Sequence, residues 1–108
     1  KNIENKRIII LKSDDRYGWY NNGKVMTPQF DEIREFRSGL IGCKLNKRVA
    51  YFSSNGRQRT PFAYRFYDDL NIPSSKVTLA ARIIGDDLDK THKVYLNRKG
   101  KLIWIGGN

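Results

Sequence analysis

The sequence contains very few of the residues on which catalytic and metal sites are usually built. Its 108 residues include a single cysteine, Cys43, and a single histidine, His92. One cysteine can form neither an internal disulfide nor a cysteine-rich zinc site, and one histidine leaves little material for acid–base catalysis. The apolar runs are also short, since a run such as residues 8–11 is far below the roughly 20 residues that span a bilayer. These shortages exclude a disulfide framework and a membrane-spanning helix, and they predict a chain that is not an enzyme.

The scarce polar residues have simple structural interpretations. His92 lies in the polar stretch 89–93, which is typical of a solvated turn, and Cys43 lies in an alternating stretch that predicts a strand with a buried thiol. The acidic groups Asp86-Asp87-Asp89 and Asp68-Asp69 lack the ligand spacing of a calcium loop and fit the chemistry of turns. The sequence therefore predicts no catalytic residue, no metal site and no cofactor.

Positive charge is the strongest bias in the composition. The formal net charge is +10, with 21 Lys and Arg against 11 Asp and Glu. Residues 1–54 carry 11 cations against 6 anions and residues 55–108 carry 10 against 5, so each half is +5. An even spread of charge is typical of a solubilising surface, whereas a clustered patch attracts polyanions.

A short pattern occurs three times along the chain. Each copy has two runs of aromatic and β-branched residues around a turn, and the copies are residues 19–28, 51–61 and 95–104. The turn glycines are Gly23, Gly56 and Gly100, at steps of 33 and 44 residues. Glycine supplies the positive φ that a tight hairpin requires, so each copy predicts a β-hairpin.

The segments around the hairpins complete an all-β prediction. Residues 7–12, 39–45 and 76–83 are predicted strands, because β-branched and apolar residues dominate them. Thr27-Pro28 and Thr60-Pro61 are predicted to end strands or to lie on a sheet edge, since proline cannot donate to a ladder. Connectors and loops, rich in turn residues, are predicted at residues 31–37, 68–75 and 85–91.

These elements predict a single all-β domain, residues 1–108, of successive antiparallel hairpins from about three degenerate repeats stacked together. Residues 1–12 are assigned as the closing strand of a preceding unit. The repeats are then 13–45, 46–84 and a partial third, 85–108. Repeat units of this kind bury their apolar faces only against one another, which predicts a stacked array.

The first copy carries a motif that extends beyond its hairpin. The motif consists of residues Tyr17-Gly18-Trp19-Tyr20-Asn21-Asn22-Gly23-Lys24-Val25, then Thr27-Pro28-Gln29-Phe30-Asp31-Glu32, Phe36 and Gly39-Leu40. It resembles the WG repeat of bacterial proteins, and the other two copies are degenerate. The resemblance implies antiparallel hairpins that stack on their neighbours and serve as an interaction or spacer region, with no activity of their own.

Two functions remain open at the level of sequence. The first is a non-catalytic module for protein interaction or scaffolding, whose partner is another protein or another domain of the parent chain. The second is a domain that binds nucleic acid or an acidic glycan through a basic and aromatic face. Its candidate residues lie around the second hairpin and are Lys47, Arg48, Arg57, Arg59 and Arg65, with Arg57 and Arg59 on one face of a predicted outgoing strand. No compartment is assigned, and a start at Lys1 is compatible with a processed envelope or secreted protein.

Overall fold

The chain folds entirely into β-structure in the part that the structure describes. A computed structural model describes residues 8–67 and 76–105, which form ten strands and no helix. The strands are β1 (Ile9–Ser13), β2 (Arg16–Asn21), β3 (Lys24–Phe30), β4 (Glu32–Glu35), β5 (Ile41–Leu45), β6 (Arg48–Phe52), β7 (Tyr64–Phe66), β8 (Val77–Ile84), β9 (Asp87–Asn97) and β10 (Leu102–Ile105). They form two antiparallel sheets, of order β1-β2-β3 and β10-β9-β8-β7-β6-β5-β4. The all-β prediction is confirmed.

Three hairpins close through two-residue turns in which both residues have positive φ. These pairs are Asp14 and Asp15 (49° and 65°), Asn22 and Gly23 (46° and 82°), and Asn46 and Lys47 (53° and 72°). Two successive positive φ values define the type I′ turn, whose twist matches that of the flanking strands. Asn, Asp and Gly reach this conformation at little cost, and Lys47 is the unusual member.

Three further turns share one hydrogen-bonding pattern. The amide of Ser53 donates to the carbonyl of Arg57 (2.8 Å), and the amide of Gly56 donates to the carbonyl of Ser53 (3.0 Å). The same two bonds recur in residues 36–40 and in residues 97–101. The fourth residue of each turn is a glycine with positive φ, namely Gly39 (101°), Gly56 (90°) and Gly100 (82°). Gly39, which was predicted to begin a strand, therefore lies in a turn, and β5 begins at Ile41.

Two hydrophobic cores hold three layers of strands together. Layer 1 is β1–β3, layer 2 is β4–β6 and layer 3 is β8–β10, with β7 between the second and third layers. The first core joins Ile8, Trp19 and Phe30 from layer 1 to Ile41, Cys43, Ala50 and Phe52 from layer 2. The second core joins Leu40, Val49 and Tyr51 to Tyr64, Ala80, Val94 and Leu96.

Strand β6 contributes to both cores because its side chains alternate. Ala50 and Phe52 point into the first core, and Val49 and Tyr51 point into the second. The Phe52 ring lies 6.0 Å from the Trp19 ring and 5.4 Å from the Phe30 ring, between centroids, and both pairs are edge-on. Such pairs stabilise by roughly 0.5–1.5 kcal/mol beyond area burial. Strand β6 is thus buried on both faces.

Two predicted irregular segments contain strands. Residues 32–35 form β4, which pairs with β5 over its whole length, and residues 87–91 begin β9, which pairs with β8. His92 consequently lies on a strand, directly opposite Arg82, and not in a solvated turn. The composition of these segments predicted irregular structure, but whether a segment forms a strand depends on its partner strand as well as on its own propensity. The predicted loop 68–75 lies outside the described residues.

The two Thr-Pro pairs differ from each other, and Thr27-Pro28 lies on a sheet edge, which is one of the two predicted placements. Strand β3 continues through Pro28 to Phe30, and it can do so because β3 is the edge of its sheet. Thr60 follows no strand, since residues 57–61 make only an isolated bridge between Phe52 and Gln58. The predicted outgoing strand of the second hairpin is therefore wrong.

Strand β1, assigned to a preceding unit, pairs with β2 through the turn at residues 14–15.

The turn glycine of each later layer contacts the layer before it. A Cβ built on Gly56 would lie 3.4 Å from the Cε of Met26, and one built on Gly100 would lie 2.6 Å from the Cβ of Arg59. Met26 and Arg59 occupy the same place in their layers, because each immediately precedes a Thr-Pro pair. The same stacking contact thus occurs twice.

Replacing Gly100 with alanine tests this contact. Gly23 and Gly100 share a φ of 82°, so alanine meets the same backbone strain at both, roughly 1–2 kcal/mol. Gly23 has no described atom within 4 Å of an added Cβ, whereas Gly100 has Arg59. We expect Gly100→Ala to lower the free energy of unfolding by about 1–3 kcal/mol more than Gly23→Ala, measured by urea denaturation. Equal losses would contradict the stacking contact, and Arg59→Gly should restore part of the difference.

Candidate functional site

The predicted basic residues lie in four different structural settings. Lys47 is an exposed turn residue, and Arg48 is partly buried at the start of β6. Arg57 and Arg59 are exposed on the irregular segment after β6, and Arg65 is exposed in the middle of β7. Arg57 and Arg59 therefore do not lie on a strand, and the strand on which their shared face was predicted is absent.

The reason for the missing strand is local hydrogen bonding to Tyr51. The amides of Arg59 and Thr60 both donate to the Tyr51 carbonyl, at 2.8 and 3.3 Å. The Tyr51 amide in turn donates to the Thr60 hydroxyl at 2.9 Å, so a side chain takes the place of a ladder carbonyl. A threonine hydroxyl that bonds to the backbone competes with regular pairing in this way.

Two of the five predicted residues, Lys47 and Arg65, line one surface pocket. The pocket has a volume of about 100 Å³, and its lining residues are Glu32, Arg34, Lys44, Lys47, Val49, Arg65 and Phe66. Four of these residues are cationic and one is anionic. The structure thus gathers positive charge at the junction of β4, β5, β6 and β7, at a place that the sequence analysis did not identify as a whole.

The pocket cations are positioned by the register of β4 and β5. Glu32 lies directly opposite Lys44, and Lys44 lies directly opposite Val49. The Arg34 Nε donates to a Glu32 carboxylate oxygen at 2.9 Å, and its guanidinium lies 4.1 Å from the centroid of the Phe66 ring. A guanidinium above an aromatic face is attracted by the ring and is held in place.

Arg65, on β7, is tied to the start of β9, which lies beyond β8 in the sheet. Its Nη1 donates to the Leu88 carbonyl at 3.0 Å, and the same atom lies 3.8 Å from an oxygen of Asp89. Both side chains of this ion pair are at least half exposed, so the pair contributes little to stability. Its consequence is positional, because it keeps one cation at the rim of the pocket.

Arg34 and Lys44 were missed for a specific reason. Arg34 lies in the segment 31–37, which was predicted to be an irregular connector, whereas Lys44 lies in the predicted strand 39–45. Only the pairing of β4 with β5 brings the two side chains to the same face. The alternation Glu32, Arg34 along β4 was the signal that could have found them, since alternate residues of a strand share a face. Chemically, the pocket has room for one phosphate- or carboxylate-sized group beside Phe66.

Apolar side chains are exposed at the two outer layers. In layer 1 the exposed apolar residues are Ile9, Ile10, Tyr20 and Val25, and in layer 3 they include Ile103, Trp104 and Ile105. Tyr95 and Trp104 face each other across β9 and β10, with ring centroids 5.3 Å apart. Contiguous exposed apolar side chains mark surfaces that bind other proteins.

The remaining candidate residues have structural surroundings. Cys43 is fully buried in the first core, and burial raises the pKa of its thiol. A buried thiol with a raised pKa is a poor nucleophile, because the thiolate is the reactive form. Asp87 accepts a hydrogen bond from the Asp89 amide at 3.0 Å, as in a turn. Asp68 and Asp69 lie outside the described residues.

Neither a metal cluster nor a membrane-crossing helix is found in the described part of the chain. Within residues 8–67 and 76–105, no three side chains of His, Cys, Asp or Glu converge on a common point that could hold an ion. None of these residues forms a helix of the length and hydropathy that crossing a membrane requires.

The chain matches no protein-family model, no curated protein and no solved structure at a significant level. The similarity to WG repeats therefore stays a prediction, and function has to be argued from the chain's own surfaces.

The burial of Cys43 predicts slow modification of the native protein. We expect the thiol to react with a maleimide more than about 100-fold slower in the folded state than in urea, because both access and the thiolate fraction are lost. The matched control is Cys43→Ala combined with Ser13→Cys, which places the only thiol at an exposed strand end. Equal rates for the two folded proteins would show that Cys43 is accessible.

Proposed function

We propose that the chain is a non-catalytic repeat module that binds another polypeptide through the apolar faces of its outer layers. The observation that carries the proposal is the row of exposed apolar side chains on layer 1. Ile9 lies opposite Tyr20, and Tyr20 lies opposite Val25, so the three form one continuous strip across the sheet. Their exposed fractions are 62%, 39% and 59%.

A strip of this kind is unfavourable in water. Apolar surface that is removed from water contributes roughly 25 cal/mol per Å², so three large side chains on one face provide a substantial driving force for association. Tyr20 also brings a hydroxyl, and a ring with a polar end is common at protein interfaces. The resemblance to WG repeats supports the same interpretation.

The proposal predicts polypeptide adducts at position 20. We would replace Tyr20 with p-benzoylphenylalanine in the full chain and irradiate bacterial cells that produce it. The expected adducts are sensitive to protease and resistant to nuclease. The control places the same cross-linker at Lys90, an exposed position on β9 that lies outside the strip. Nuclease-sensitive adducts, or equal adducts at both positions, would overturn the proposed function.

A second candidate function is supported by the cationic pocket. Arg34, Lys44, Lys47 and Arg65 surround about 100 Å³ that contains one carboxylate, that of Glu32. Positive charge around a small recess attracts phosphate, and the Arg34 guanidinium is held at the recess by the Phe66 ring. This candidate replaces the predicted Arg57 and Arg59 face with a different set of cations.

The pocket predicts a site-specific loss of nucleic-acid binding on charge reversal. On this second candidate, Lys44→Glu with Lys47→Glu should weaken the binding of a short single-stranded oligonucleotide by at least about tenfold, and the salt slope should fall. Lys90→Glu with Lys93→Glu changes the net charge by the same amount and is the control. Fluorescence anisotropy at several salt concentrations provides the measurement. Equal losses in both double variants would exclude a site at the pocket.

A further inference from the structure

The strip on layer 1 has counterparts in the other two layers. In layer 2, Ile41 lies opposite Phe52, and Phe52 forms a bridge with Gln58. In layer 3, Leu96 lies opposite both Thr78 and Leu102. Each layer therefore has a row of three residues that crosses its strands. The first residue lies on β1, β5 or β8, and the second lies on β2, β6 or β9. The third lies on β3, on the segment after β6, or on β10. The rows are Ile9–Tyr20–Val25, Ile41–Phe52–Gln58 and Thr78–Leu96–Leu102.

In layers 2 and 3 this row is the face that packs on the preceding layer. Ile41 and Phe52 belong to the first core, where Phe52 contacts the rings of Trp19 and Phe30. Leu96 belongs to the second core with Tyr51, and the Thr78 hydroxyl hydrogen-bonds to the Ser38 hydroxyl of layer 2. Layer 1 presents the same face to solvent.

The turn glycines show the same difference. Gly56 and Gly100 both lie close to a side chain of the preceding layer, Met26 and Arg59 respectively. Gly23 occupies the corresponding turn of layer 1, and no described atom lies within 4 Å of a Cβ built on it. Layer 1 therefore has both parts of a stacking surface, the row and the turn, with nothing in the described chain packed on them.

The opposite end of the stack carries the complementary surface. On the face of layer 1 that meets the following layer, Trp19 lies opposite Met26. Its Nε1 donates to the carbonyl of Ser54, just after β6, at 2.8 Å. In layer 3 the corresponding pair is Tyr95 and Trp104. Trp19 is almost fully buried, whereas Trp104 is 56% exposed.

We infer that the layer 1 strip is a docking surface for a second copy of this chain, bound head to tail through its Tyr95 and Trp104. The inference rests on the proposed interaction function and names its partner. The interface would continue the two stacking interfaces inside the chain, each of which joins the row of one layer to the aromatic face of the layer before it. Both internal interfaces join unlike faces, so head-to-tail packing is favoured over packing of two like strips about a twofold axis. Head-to-tail contacts use different surfaces on the two copies and form chains or rings.

Salt provides a signature that separates this inference from polyanion binding. Each copy carries a net charge of +10, so two copies repel each other at low ionic strength. Added salt screens this repulsion, and it also strengthens apolar association when the anion is sulfate. We expect self-association to increase with salt, whereas binding to nucleic acid decreases with salt.

The test is complementation between two blocked variants of the full chain. Tyr20→Glu blocks the strip and leaves the aromatic end intact, and Trp104→Glu does the reverse. Sedimentation velocity over a concentration series should show higher oligomers for the original chain and monomers for each variant alone. An equimolar mixture of the variants should form a 1:1 dimer and nothing larger, because only one productive interface remains.

The control is a variant that removes an exposed apolar side chain elsewhere on the protein. Ile84→Glu removes an exposed apolar side chain beside the β8–β9 turn, outside both surfaces, and should leave the oligomers unchanged. Urea midpoints of all variants would verify that each remains folded. A chain that stays monomeric at every concentration and salt would overturn the inference while leaving polypeptide adducts at position 20 as support for the proposed function. Dimers of Trp104→Glu alone would show packing of like strips and would also overturn it.

Discussion

The burial of β6 on both faces is the constraint on which the rest of the structure depends. Side chains alternate along β6, so Phe52 and Ala50 face layer 1 while Tyr51 and Val49 face layer 3. Each of the two cores contains residues of β6, so each outer layer buries its apolar side chains against this strand. The short apolar run of β6 is thus explained by a strand that has no solvent face, as is usual for fully buried strands. Layers 2 and 3 each use one face to meet the layer before them, and the corresponding face of layer 1 is exposed in the described residues.

The hairpin turns could be predicted because they depend on a few neighbouring residues. Strands that depend on pairing with distant residues could not be predicted. Gly56 and Gly100 could be placed because a positive φ is a property of a few residues in sequence. Strand β4 could not be placed, because three of its four residues are charged and only pairing with β5 makes the segment a strand. The predicted face of Arg57 and Arg59 depended on regular pairing after β6, which the hydroxyl of Thr60 prevents by bonding to Tyr51.

The same reasoning explains what could be predicted of the candidate sites. Lys47 and Arg65 were selected for their charge and their position around the second hairpin, and they line the pocket. Arg34 and Lys44 needed the register of β4 with β5, which places Glu32 opposite Lys44. The apolar strip was not foreseen, because its members lie on three strands and only their pairing makes them neighbours. A surface made of residues from several strands can be identified from the strand pairing but not from the sequence alone.

The edge position of β3 affects how readily the protein pairs with a foreign strand. An unprotected edge strand offers free amides and carbonyls, and it invites a foreign strand to extend the sheet sideways. Pro28 lies within β3 and has no amide hydrogen to offer, so the ladder on that edge is interrupted. Lateral, amyloid-like growth is therefore disfavoured at this edge. The proline thus protects one of the four edge strands in the described part of the chain, which are β1, β3, β4 and β10, against pairing with a foreign strand.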